Sequence, residues 1–289
     1  NTAALITATT GNISFTGVVT VSNTAINLTS GAVSAPLGSI TLNASASSTA
    51  NYGLYTSGTA TLSAKYNVTL TGSTSGNYGI SLNAGVTSTA GDILVTANSG
   101  ASTAYSNAST LSASAGAVTV SAISTSGSGV SQSGLVTAKS AAITGTTNSS
   151  SGTAVTLGAV TLVAGGGNLV VTGNNANQTG TGITQTGAIT DNVVGGNITF
   201  RSNNNINQTG AVTMVSNPGT TAAVLTYDVS TGNSTSSIVA GSLTITGTNT
   251  GPIDYNLFAA GAQLIPGAIT VPGTITLDNT YGGTSGVGG

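Results

Sequence analysis

The sequence predicts an all-β chain: a right-handed parallel β-helix, or β-solenoid, with three short strands per rung of about 25 residues and roughly nine rungs. Three observations predict it. Apolar residues recur in three columns that keep phase along the chain. Each recurrence lies in a short stretch where apolar and polar residues alternate. Nothing between these stretches has the length or period of an amphipathic helix.

The first column runs through Leu54, Ile80, Tyr105, Val130, Val155, Ile183 and Ile206. The second follows a few residues later: Leu62, Val86, Leu111, Val136, Val160, Ile189 and Val212. The third is Ile13, Ile40, Val68, Ile93, Val118, Ile143, Leu169 and Ile198, with Val224 as its continuation. The longest steps, 155 to 183, 160 to 189 and 169 to 198, fall in the same rung. An insertion in one turn of a solenoid does this, whereas independent low-complexity sequence would not keep three columns in step.

The third stretch is the clearest strand. Ser39-Ile40-Thr41-Leu42-Asn43, Asn67-Val68-Thr69-Leu70-Thr71 and Ala117-Val118-Thr119-Val120-Ser121 alternate with period two and are rich in β-branched residues. Three strands per turn, with no room for a helix between them, stack as parallel ladders about 4.8 Å apart. The third column is therefore expected to form the structural core, and Gly, Ser and Asn to turn the corners. The right hand follows from the general rule for parallel crossovers.

Composition narrows the function. The 289 residues hold three Lys or Arg (Lys65, Lys139, Arg201), five Asp (Asp92, Asp191, Asp228, Asp254, Asp278), and no His, Cys, Trp or Glu. An apolar content of 38% with a net charge of −2 argues against disorder, which goes with low hydrophobicity and high charge. No run approaches the roughly 18 apolar residues of a membrane-spanning helix. No leader is visible at Asn1, so the chain reads as a mature or excised segment. Three bases cannot neutralise several phosphates, so nucleic acid is not an expected partner. Without His there is no Ser-His or Cys-His pair, and the acids fall on different rungs, so no enzyme is expected. No clustered hard ligands suggest a metal, and no cofactor is expected. Lys65 and Asp92 are placed to form a surface ion pair one rung apart.

Two polar columns need a reading. Asn107, Gln132, Gln185 and Gln208 follow first-column residues by two positions. Pointing inward, their amides must pair in a ladder; at a corner they face solvent. Asn12, Ser39, Asn67, Asp92, Ala117, Ala142, Asn168 and Asn197 precede the third strand, several directly after Gly. These are expected to bond neighbouring backbone groups at a bend.

The stretches Gly11-Asn12-Ile13-Ser14-Phe15, Gly38-Ser39-Ile40-Thr41-Leu42 and Gly196-Asn197-Ile198-Thr199-Phe200 resemble repeats of filamentous-haemagglutinin-like bacterial exoproteins. The resemblance covers about residues 10–215. It implies a β-helical adhesin stalk, export from a Gram-negative bacterium, an extracellular or cell-surface location, and roles in adhesion or a biofilm matrix. The Asn-Pro-Asn-Gly-type motifs of that family's secretion domain are absent.

The expected function is thus an extracellular structural or adhesive fibre, self-associating into filaments, with a host or matrix glycan as a further partner. Two alternatives stand. The outward pairs Ser14/Thr16, Thr69/Thr71, Thr119/Ser121 and Thr144/Thr146 resemble the Thr arrays of ice-binding faces, and a carbohydrate-binding or cleaving β-helix is the second. The β-helix is assigned to residues 1–215. Residues 216–289 read as a less regular extension, a cap or an intersubunit segment, ending in a flexible Gly-rich run. Leu257, Phe258, Leu264 and Ile265 are its candidate assembly residues.

Overall fold

The computed structural model describes residues 5–21, 23–47, 52–177, 179–215, 223–229, 236–246, 253–258, 264–265, 269–270 and 275–278. Every regular element among them is a strand, and every strand pairing is parallel. The chain is a parallel β-solenoid with three strands per rung. One face is a ten-stranded sheet from Ile26–Leu28 to Leu264–Ile265. The other two faces join into a twenty-stranded sheet, because Leu111–Ser124 and Val136–Thr147 run through the corner between them without a break.

The core follows from alternation. In Ile40–Ala46 and Val68–Thr74 every second residue is buried. Ile40, Val68, Ile93 and Val118 stand in direct register and are fully covered. Burying each such side chain contributes about 1.5–3 kcal/mol. The first column continues from Ile26 through Leu54, Ile80, Tyr105, Val130, Val155, Ile183 and Ile206 to Ile238 and Leu264. The second runs from Val33 and Leu62 to Leu243 and Ile269 by the same one-to-one register.

The third column departs from expectation at one rung. Val118 stands beside Ala141, and Ile143 beside Val120. Leu169 then follows Ala141, so Ile143 belongs to the neighbouring inward column with Val171. The cause is corner length: three residues, 114–116, separate Ala113 from Ala117, while Lys139 alone separates Ala138 from Ser140. A two-residue difference preserves the inward-outward phase, so Ile143 is still buried, one pleat along. Leu225, not Val224, continues the column after Ile198.

Parallel ladders carry on past residue 215. Ala223–Asp228 pairs with Asn197–Ser202, Ile253–Phe258 with Ala223–Asp228, and Ile275–Asp278 with Ile253–Phe258. The corner where the third strand meets the next rung's first strand is narrow. A Cβ on Gly145 would collide there with the Ala154 carbonyl oxygen.

Candidate functional site

The stacking that builds the core also lines up what faces outward. On the second face Ser34, Ser63, Thr87, Ser112, Thr137, Thr161, Thr190, Thr213 and Thr244 occupy one unbroken register, and the backbone register carries on to Thr270. On the first face Ser81, Ser106, Ser131, Thr156 and Thr184 do the same. On the third face Thr71, Thr96, Ser121, Thr144 and Thr172 form one column. The parallel third-face column mixes Thr69 and Thr119 with exposed Leu94 and Val170. The register places Ala142, not Thr146, as Thr144's companion, so the expected Thr144/Thr146 pair lies one step off the array. The third face, where the sequence suggested a Thr array, thus keeps one of its two outward columns as Ser and Thr from Thr71 to Thr172, and the longer column lies on the second face.

Charge interrupts these faces rarely. Arg201 Nε donates to Asp228 Oδ2 at 3.0 Å across adjacent rungs. The expected Lys65–Asp92 pair does not form: Lys65 Nζ lies 5.3 Å from the Tyr66 ring centre, and Asp92 Oδ1 accepts the Ala117 amide at 2.8 Å. Tyr52 stacks on Tyr78 with ring centres 5.5 Å apart, and Tyr55 lies 4.9 Å from Tyr52. Partial burial, with the two neighbouring phenols, raises the Tyr52 pKa above its ordinary value.

The amide column points inward. Asn107, Gln132, Gln185 and Gln208 are all buried. Gln132 Oε1 accepts from Tyr105 Oη at 2.8 Å and from Asn107 Nδ2 at 3.0 Å, and Gln132 Nε2 donates to the Gly134 carbonyl at 2.9 Å. Higher up, Gln208 Nε2 donates to Gln185 Oε1 at 3.0 Å, while Gln208 Oε1 accepts from Tyr227 Oη at 2.9 Å and from the Gly241 amide at 2.7 Å. Leu157 separates the two clusters in the same register. Burial pushes the Tyr105 hydroxyl far above the ordinary phenol range, so it stays a donor.

In the corner column Asn12, Asn67 and Asp92 bond backbone groups as expected. Asn12 Oδ1 accepts the Ser39 amide at 2.8 Å, Asn67 Oδ1 the Asp92 amide at 3.0 Å, and Asp92 passes the pattern to Ala117. Ser140, not Ala142, stands beside Ala117 in that column. A third polar column was not foreseen. Thr74, Ser99, Ser124, Thr147 and Asn175 end the third strands, all buried and in register. Ser99 Oγ donates to the Gly76 carbonyl at 3.0 Å and accepts the Ser102 amide at 3.1 Å. Asn175 Nδ2 donates to the Ser149 and Gly152 carbonyls at 3.2 and 3.1 Å. These side chains satisfy backbone groups where the chain leaves the ladder. The signal for them was a polar residue six positions after Val68, Ile93, Val118, Ala141 and Leu169.

The candidate assembly residues lie in the ladders: Leu257 and Phe258 stand beside Tyr227 and Asp228, and Leu264 and Ile265 beside Ile238 and Val239. Their side chains, and the Gly-rich end, lie outside the described residues. Among the described residues no three His, Cys, Asp or Glu side chains gather to hold a metal, and no helix is long and apolar enough to cross a membrane. The arrangement offers neutral hydrogen-bonding faces on a continuous core. No protein-family model, curated protein or solved structure matches the chain.

Proposed function

We propose that the chain is the non-catalytic shaft of an extracellular bacterial fibre, a surface adhesin or biofilm-matrix component of the filamentous-haemagglutinin-like kind. The observation that carries this reading is the set of unbroken hydroxyl ladders on faces where charges are isolated. Aligned neutral donors and acceptors suit a neutral polyol such as a host or matrix glycan, whose hydroxyls are met without desolvating ions. Self-association into filaments supplies the second part of the reading, since a solenoid's terminal strands carry unpaired backbone groups that template another copy. The three pentapeptides that resemble the adhesin repeats all open third strands, at Ile13–Val19, Ile40–Ala46 and Asn197–Ser202. Negative-stain microscopy and a glycan-array screen of the purified chain test it. Filaments, or separate rods that bind glycans, support a fibre role; separate rods that bind nothing overturn it.

The second-face ladder from Thr137 to Thr244 favours one other reading, an ice-binding face. Thermal hysteresis with ice shaping, lost on Thr161→Lys but kept on Thr69→Lys and Thr119→Lys, would support that face. No hysteresis at high concentration would remove it.

A further inference from the structure

Among the described residues two buried side-chain oxygens have no hydrogen-bond partner, Asn27 Oδ1 and Asp191 Oδ2, and Asp191 alone is ionisable. It takes an inward position on the second face, in the column of Ala113, Ala138, Leu162 and Met214, and is fully buried. Its Oδ1 accepts the Val193 amide at 2.9 Å, and its Oδ2 has no partner. Gly196 packs so closely that a Cβ there would collide with Oδ2. No cation faces the carboxyl. The strands Val160–Leu162 and Val212–Val215, stacked on either side, carry no charged residue, and Arg201 on Asn197–Ser202 is exposed and turned to Asp228. The corner that follows is the irregular part of its rung. The register shifts between Asp191 and Val194, Gly195 turns at φ 65°, and Val194 is 51% exposed. Three backbone bonds hold the corner: Gly196 N–H to the Val193 carbonyl and Val224 N–H to the Gly196 carbonyl, both 3.1 Å, and a longer one from Gly195 N–H to the Val215 carbonyl at 3.4 Å.

We propose that Asp191 is a pH-operated latch on the corner 192–196: with its carboxyl protonated the corner stays packed, and when the proton leaves to solvent the charged oxygen draws water in and the corner opens. A lone buried carboxylate is far costlier than a lone buried carboxylic acid, because nothing replaces its hydration. Burial pushes the Asp191 pKa up to about 6, outweighing the Val193 amide that lowers it. The folded state therefore holds this proton more tightly than the unfolded chain. The stability it gives is fully present below the ordinary carboxylate range and is lost as pH rises through about 6.

The composition makes the test clean. With no His and no Glu, no other side chain ordinarily titrates between pH 5 and 7. Carbonyl-13C NMR of the unsubstituted chain is expected to show the Asp191 carboxyl titrating with a midpoint near 6. The melting temperature is expected to fall by about 2–3 °C from pH 5 to pH 7 and to stay level in Asp191→Asn. Amide exchange at 193–196, compared with that variant, should quicken over the same interval. Five Asp carboxyls all titrating below pH 5, or an Asp191→Asn chain that keeps the parental slope, would overturn the latch. If that variant fails to fold, the NMR titration of the parent decides alone.

Discussion

Gln132 shows how much one interior side chain can hold. Its Oε1 takes protons from Tyr105 and Asn107, and its Nε2 satisfies Gly134. Gln132→Ala strands the Tyr105 hydroxyl and an Asn107 proton in a buried place, and opens a cavity. The expected loss is about 2–4 kcal/mol in urea unfolding. Gln132→Leu fills the volume as Leu157 does one rung on, yet leaves the phenol orphaned. Adding Tyr105→Phe to Gln132→Leu should therefore recover part of the loss, with a coupling of about 1 kcal/mol or more in a double-mutant cycle. Equal losses from the single and double variants would mean the bond contributes no net energy. Gly145 sets the opposite kind of limit. Gly145→Ala brings a methyl group against the Ala154 backbone carbonyl, and one of the two strands must move. A loss of about 1–3 kcal/mol is expected in the same assay.

At the scale of the strand, adjacent residues have opposite fates. Leu169 is fully buried, while Val170 beside it is 38% exposed. Leu169→Ala should cost about 2–5 kcal/mol and Val170→Ala less than about 0.5 kcal/mol. Similar costs for the two would contradict the inward-outward alternation. That alternation is why the strands were legible: period two, β-branching and in-phase columns are properties of the sequence itself. The slip at Ile143 was not legible, because a corner shortened by two residues leaves the phase intact. Only the ladder partner distinguishes Val118 from Val120. The direction of the amide column was equally closed to the sequence, since a Gln two positions after a core residue suits a corner or an interior. Its orientation depends on Tyr105 and Tyr227, which lie on other strands and supply its hydrogen bonds. Asp191 looks in the sequence like one of five scattered charges, yet its place two residues after Ile189 puts it in an inward column. The second-face Thr ladder was legible in principle: each of its members from Thr137 to Thr213 directly follows a second-column apolar residue.

The whole molecule is a one-dimensional stack in which each rung meets only its neighbours, so rungs should be removable in whole units. Ile93 stands beside Val68, which makes residues 68–92 one full turn. Removing those 25 residues joins Asn67 to Ile93 and sets Ile93 beside Ile40, an apolar residue on an apolar residue. Asn67 then meets the Ala117 amide in the position that Asp92 holds in the parent chain. The shortened chain should stay soluble, keep its β-sheet circular dichroism, and lose about 4.8 Å of length by small-angle scattering. Removing residues 68–91 instead differs by one residue and has a different outcome. It puts Asp92 in the column beside Ile40 and turns Ile93 and Val95 outward, because a one-residue slip exchanges the two faces of a strand. That chain should aggregate or lose its sheet signal, having few charges to keep exposed apolar strands apart. If both deletions fold equally well, the columns do not determine the register, and a stack built on them cannot serve as a fibre shaft.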